Sequence, residues 1–576
     1  MEPVYFDGCF GWFHPAPGRR GVVMCGPLGQ EGDFVHRSWR RLAEMLAASG
    51  WASLRFDYRG QGDSADDGGA DQIVAWIEDV TNAVAWLKRR HDLDQVVLLG
   101  IRFGALAAAA AATALGGVDG LVLMAPVTSG KSYRRELTMM AKMADKVAPR
   151  EGDPLNVGGV VYTPQSLERL AGLEPLREGG VLAPRILALT QPGLPLDRVL
   201  AQRLDGSGIE ASQVEFTDYA ALMIEADFSL FPAEAFARVI DWIGADAAPA
   251  APERAPQASA QLEFPDGQEE TVSIGGSAPL FGVVTKPKVS RAGAPAFVFL
   301  TTGAIRRTGS GRIAVVMARR LAACGLTSLR FDVAGVGDSP DRPNQQNPIE
   351  HLADNFVDVE AALDWLQAKG HATAVLVGFC RGAQFACNMA FRDRRFRGQI
   401  LVAPPPYFWS EAPAHRAPAT NRRYLTMLLD RGTWADIASG RIRPMQLVRG
   451  AFRAARRALG IDSAKKDARA VAARLRSLKR GGVETLLLYG DKDEFLLENE
   501  DYFSCGRQDF AARFDMDTVI LSGIDHQYYH AGQRQLIVDE ILRRIRQDGL
   551  FSAIPAPGAN PRAPDARGSM DAVTAP

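Results

Sequence analysis

Three residues of this chain have the types, order and surroundings for covalent acyl chemistry: Cys380, Asp493 and His526. Cys380 is the centre of Gly378-Phe379-Cys380-Arg381-Gly382, which follows the apolar run AVLV and precedes a helical stretch. Paired glycines let a strand–turn–helix elbow tighten until its middle side chain is thrust outward. A thiol there, partnered by an imidazole and seated at a helix N-terminus, is favoured as the thiolate, the form that attacks carbonyl carbon. The acid comes from ETLLLYGDKDEF, an apolar strand ending in a loop, where the G-x-x-D spacing selects Asp493 over Asp491. The base comes from TVILSGIDHQYYH, with His526 after the last strand; His530, four residues on, reads as an exposed residue beginning a helix. His526 would take the Cys380 proton, and Asp493 would hold the imidazole's tautomer and stabilise its charge. Backbone N–H groups of Arg381 and of Ala304, beside Gly303 in the loop FVFLTTGAIRRTGSGR, are the expected oxyanion donors; one such donor is worth ~3 kcal/mol.

The elements that must position these residues occur twice. Gly100-Ile101-Arg102-Phe103-Gly104 repeats the elbow after VVLL, with an Arg at its centre that cannot be an acyl nucleophile. Upstream, LAEMLAASGWASLRFDYRGQGDS (42–64) parallels LAACGLTSLRFDVAGVGDS (321–339): a helix end with glycine, a buried strand closing on Arg-Phe-Asp, then a Gly-x-Gly-Asp-Ser turn. Two copies over such a long period mean duplicated domains rather than a solenoid. No histidine lies between His91 and His351, so the first copy lacks a base for a Ser–His–Asp mechanism. Asp197 and Asp227 mark its expected acid and histidine loop positions. Arg102 either binds an anionic group in a vestigial pocket or is satisfied by a structural carboxylate.

With these segments in view, the second half resembles the serine-aminopeptidase-like branch of the α/β-hydrolases. Within that branch it is similar to bacterial hydrolases associated with exosortase and exopolysaccharide systems, through TTGAIRRTGSGR, RFDVAGVGDSP, VGFCRG and YLTMLLDRGTWADIASG. The first half resembles a related group with Arg already at the elbow, through CGPLGQE, RFDYRGQGDSA, LLGIRFGA and SGKSYRREL. The resemblance implies Cys380, Asp493 and His526 as nucleophile, acid and base. Cys in place of the family's Ser is the departure; dienelactone hydrolases and polyhydroxyalkanoate synthases are similar at a Gly-x-Cys-x-Gly elbow.

The expected fold is therefore α/β, with two tandem α/β-hydrolase-type domains. Each is a mostly parallel twisted sheet flanked by helices, and the second carries a helical lid. The boundaries read as a non-catalytic domain over 1–243, an Ala/Pro-rich linker over 244–261, a catalytic domain over 262–550 with a lid at about 404–482, and a disordered tail over 551–576. Within the lid, residues 416–480 hold 17 Lys/Arg against four Asp/Glu, a net of +13 in a chain whose formal charge is −1. That surface is either a solvated lid face or a landing site for an anionic donor, with Arg453, Arg456 and Arg457 as candidate contacts. A coenzyme A or carrier-linked thioester fits that chemistry, whereas motifs for nucleic acid or stable membrane insertion are missing.

Composition is ordinary for a globular chain of 576 residues, with 47% hydrophobic and 23% charged residues. No apolar run reaches the ~18 residues of a membrane span. The N-terminus reads as two short strands rather than a signal peptide. Six scattered cysteines have neither metal nor disulfide spacing, so no cofactor is expected and a reducing cytoplasm is the simplest compartment. The function these readings imply is hydrolysis of an ester or thioester through an S-acyl enzyme. Transfer of the acyl group to an alcohol or amine is the alternative, and a catalytically silent scaffold is a third.

Overall fold

The computed structural model describes residues 1–66, 69, 71–145, 152–176, 180–194, 200–202, 204, 208–244, 260–276, 278–300, 303–342, 352–405, 464–526, 528–547 and 549–551. Asp197, Arg453, Arg456 and Arg457, most of the linker and lid, and the tail after 551 lie outside the described residues. Contacts divide the chain into two compact units of non-contiguous segments. The first holds Met1–Ser290, Gly303–Ile349 and Gln527–Asp539; the second holds Arg291–Thr302, Glu350–His526 and Glu540–Pro576.

The first unit is organised by an eight-stranded sheet. Its order in space is Glu2–Phe6, Cys9–His14, Ala52–Phe56, Arg20–Cys25, Gln95–Ile101, Gly120–Met124, Arg185–Thr190 and Glu210–Glu215. The first two junctions are antiparallel and the remaining five parallel. The inner strands are buried on both faces, which is why they read as continuous apolar runs. Alternate residues serve different layers. Val23 and Leu98 pack with Trp76, Phe103 and Leu106 on one face. Val22, Met24 and Leu99 pack with Trp39, Leu42 and Phe236 on the other. The helix Gln72–His91 begins where Asp71 accepts from the Ile73 N–H, and its last turn carries Lys88, Arg89 and Arg90, which complement the helix dipole.

The same unit includes an antiparallel set formed by Gln261–Phe264, Gly267–Ile274, Leu280–Pro287 and Ser328–Phe331. The segment ETVSIGGSAPLFGVVTKP lies in its hairpin, which pairs Gly267–Ile274 with Leu280–Pro287.

The two Arg-Phe-Asp…Gly-Asp-Ser segments meet in this unit and exchange partners. Arg55 pairs with Asp338 at 2.8 Å, and Arg330 pairs with Asp63. Arg307 lies among Asp63, Asp332 and Asp338 at 2.6, 2.6 and 2.7 Å, all four fully buried. The local scaffolds match as well. Ser64 Oγ accepts from the Phe10 N–H at 2.8 Å and donates to the Asp57 carbonyl, while Ser339 Oγ accepts from the Phe281 N–H at 2.9 Å and donates to the Asp332 carbonyl. Phe10 stacks on Phe281 with ring centroids 6.1 Å apart.

The second unit is built on five parallel strands in the order Ala296–Leu300, Ala374–Phe379, Phe396–Val402, Glu484–Gly490 and Asp517–Leu521. Ligands and catalytic groups of such sheets collect at the carboxyl ends of the strands. Cys380, Asp493 and His526 all follow those ends.

Candidate active site

Cys380 immediately follows Ala374–Phe379 and caps the helix Arg381–Arg392, with φ 50° and ψ −116°. A non-glycine residue at positive φ stores backbone strain of roughly 1–3 kcal/mol and persists only where its surroundings over-determine it. Here a Cβ on Gly378 would collide with the backbone of Gly382, so the strand and helix can approach only through glycine. The Cys380 N–H donates to the Val402 carbonyl at 2.8 Å, fixing the elbow to the neighbouring strand.

Asp493 follows Glu484–Gly490. Its buried carboxylate caps the helix Glu494–Phe503, accepting from the Phe495 N–H at 2.9 Å. His526 Nδ1 lies 3.3 Å from Asp493 Oδ1 and 3.4 Å from Oδ2. The Cys380 sulfur also acts on the ring. Burial works against the imidazolium, but the Cys380 sulfur and the Asp493 carboxylate outweigh it and hold His526 well above the usual histidine range. Phe495 packs edge-on against the imidazole, with centroids 4.2 Å apart. The arrangement can hold a proton on His526 beside the sulfur and return it to a leaving group.

Asp491 has a different task. It accepts from the Gly523 N–H at 2.7 Å and from Ser522 Oγ at 2.9 Å, tying the acid loop to the histidine loop. A Cβ on Gly490 would collide with the Ile524 carbonyl, so that close approach needs glycine. The short spacing G-D-x-D thus encodes one carboxylate that meets the His526 imidazole and one that holds the histidine loop. His530 is exposed, and its Nδ1 accepts from the Gly532 N–H at 3.2 Å, an interaction at the start of the helix Ala531–Arg546.

Arg381 occupies the first turn of the helix behind Cys380, where its N–H belongs to the helix start. Ala304 lies in the other compact unit, and its N–H donates to Asp227 Oδ1 at 2.6 Å. This donor is therefore engaged by a carboxylate. Asp227 precedes the helix Ala233–Ile243, in the loop region that follows the last strand of the first sheet.

The first elbow reproduces the backbone of the second without its chemistry. Arg102 has φ 55° and ψ −121°, and its N–H donates to the Met124 carbonyl at 3.0 Å. The guanidinium is held by Glu31 at 3.1 Å and by Glu136, with Tyr133 against its face. Of the two readings of Arg102, these contacts are those of the structural carboxylate. In the described end of the lid, Arg474 stacks on Phe391, Arg476 donates to the Arg513 carbonyl and Lys479 pairs with Asp515.

The sequence pattern of the family described as "Serine aminopeptidase, S33" matches residues 35–185, and that of "Alpha/beta hydrolase family" matches residues 298–539. Two α/β-hydrolase regions stand in tandem in this chain. The aminopeptidase-type match falls on the copy with Arg at its elbow, and the general match on the copy with Cys. No curated protein matches the tandem chain at significant similarity. Similar solved structures include an alpha-beta serine hydrolase homologue from Coxiella burnetii, 18% identical, covering 48% of this chain and 97% of its own, with a TM-score of 0.30. A Butyrivibrio proteoclasticus protein with ferulic acid bound is 14% identical over 42% of this chain and 98% of its own, with a TM-score of 0.33. An esterase of Pyrococcus furiosus is 14% identical over 48% of this chain and 91% of its own, with a TM-score of 0.30. Among the described residues, no helix is long and apolar enough to cross a membrane and no group of side chains is arranged to hold a metal ion.

Proposed function

We propose that the second α/β-hydrolase region hydrolyses an ester or thioester through Cys380. The carrying observation is the Cys380–His526–Asp493 relay, in which one imidazole is shared between the sulfur and a buried carboxylate. The Cys380 sulfur attacks the acyl carbon while the leaving oxygen or sulfur takes the proton from His526, giving an S-acyl enzyme. Water then loses a proton to His526 as it attacks that thioester, and the thiol returns with release of the acid. The N–H of Arg381 serves the oxyanion. The net +13 of residues 416–480, with Arg453, Arg456 and Arg457, favours an anionic coenzyme A or carrier-linked donor. The motif likeness to exosortase-associated hydrolases supports a bacterial cytoplasm as the compartment and, for the acyl-transfer alternative, a role in exopolysaccharide synthesis.

The test is incubation with p-nitrophenyl acetate followed by peptide mass spectrometry. An acetyl group on the Cys380 peptide is expected, together with loss of turnover in Cys380→Ala. A folded Cys380→Ala protein as active as the parent overturns the proposal. Product analysis with added alcohols and amines separates hydrolysis from acyl transfer.

A further inference from the structure

The first hydrolase region has kept the cavity above its elbow although it presents no nucleophile there. The cavity measures about 580 Å³ and is bounded by Arg102, Glu31 and Glu136 at its polar end. Phe34, Tyr133, Tyr162 and Tyr219 supply aromatic walls, and Met140 and Met223 lie on its apolar side. Such a volume suits a small ligand with a largely apolar body.

The polar end is asymmetric in charge. Two carboxylates face one guanidinium, and the guanidinium is already committed to both. Glu31 uses Oε1 on Arg102, while its Oε2 is buried and has no hydrogen-bond partner among the described residues. A buried acceptor left unpaired carries the full cost of its lost hydration, more so for a charged group. A ligand that donates to Glu31 Oε2 recovers that cost, and a positively charged donor also balances the excess carboxylate. Aromatic faces around the cavity add cation–π attraction. A carboxylate ligand, by contrast, would meet an arginine with no spare charge and two like-charged neighbours.

We propose that this non-catalytic cavity binds a small apolar or aromatic molecule carrying a protonated amine, with the ammonium on Glu31 and Glu136 and the body among Tyr133, Tyr219 and Met140. The site is separate from Cys380 and does not depend on the activity assigned there. It makes the first copy a ligand-binding domain.

The experiment uses the full chain and three matched probes: 2-phenylethylamine, 2-phenylethanol and 3-phenylpropanoate. Saturation-transfer NMR with titration gives relative affinities. The amine is expected to bind at least about tenfold more tightly than the alcohol, equivalent to ~1.4 kcal/mol, and the carboxylate to bind weakest. Glu31→Gln should remove most of the amine's advantage. Met140→Trp, on a residue 37% exposed, should weaken the amine and the alcohol together by filling the cavity while leaving the polar end intact. It serves as the second test should Glu31→Gln fail to fold. Preference for the carboxylate, equal binding of all three, no binding of any at millimolar concentration, or amine binding insensitive to Met140→Trp overturns the proposal.

Discussion

Removing Arg307 should destabilise the first compact unit more than any other single change in the buried ionic cluster. The structure supplies the reason. Asp63 keeps Arg330 when Arg307 is lost, and Asp338 keeps Arg55 and His36. Asp332 loses both the Arg307 guanidinium and, through any backbone shift, the Arg307 N–H at 2.6 Å. Breaking a buried pair by removing one partner costs about 3–5 kcal/mol; Arg307→Met, which leaves three carboxylates short of a cation, belongs at the upper end. Asp63→Asn belongs at the lower end, because Arg307 retains two carboxylates and Arg330 retains Glu269 at 2.5 Å. With a urea slope near 3 kcal/mol/M, these costs are midpoint shifts of roughly 1.5 M and 1 M. Hydrogen-exchange mass spectrometry of peptides covering 52–66 and 328–340 confines the readout to the affected strands. Asp63→Asn with Arg330→Met should cost less than the sum of the single changes, since each removes the other's stranded partner. The pH dependence has a definite sign. Burial opposes ionisation of Asp63 and Asp338, but the arginines around them outweigh it and hold both carboxyls below their ordinary range. Their contribution is complete above the ordinary carboxylate value near 4 and is lost as pH falls below it. A shift of less than about 1 kcal/mol for Arg307→Met, the level of an exposed pair, or stability of the parent that does not fall below pH 4, refutes this reasoning.

Other outcomes follow from the site. His526→Ala should lower kcat for ester hydrolysis by at least about a hundredfold, the scale of a lost general base, while His530→Ala should leave it unchanged; the reverse pattern in steady-state assays moves the base one helical turn. Rising salt should depress kcat/KM for a coenzyme A thioester far more than for a neutral ester, because attraction to the +13 segment is screened over ~10 Å at 0.1 M; charge reversal at Arg453, Arg456 and Arg457 should raise KM for the thioester alone.

Much of the fold could be read because duplication made its local signals redundant. Apolar runs ending in glycine-flanked elbows, and Arg-Phe-Asp strands ending in Gly-Asp-Ser turns, are short-range patterns that backbone sterics make specific. The order Cys380, Asp493, His526 could be read for the same reason, since each residue follows its own strand end. Partnerships were hidden wherever they cross the chain. Arg330 meets Asp63 over 267 positions, and Arg102 meets Glu31 over 71. Burial of Arg55 and Arg330 inside apolar strands was a signal that each needs a carboxylate, but periodicity alone names no partner. The reciprocal exchange changes what the repeated motif means. Each Gly-Asp-Ser turn carries a serine that fixes its own strand and an aspartate that neutralises the arginine of the other copy. The pairing joins segments of both copies within one compact unit. The first copy, whose elbow carries Arg102, therefore has a structural task held by buried charge.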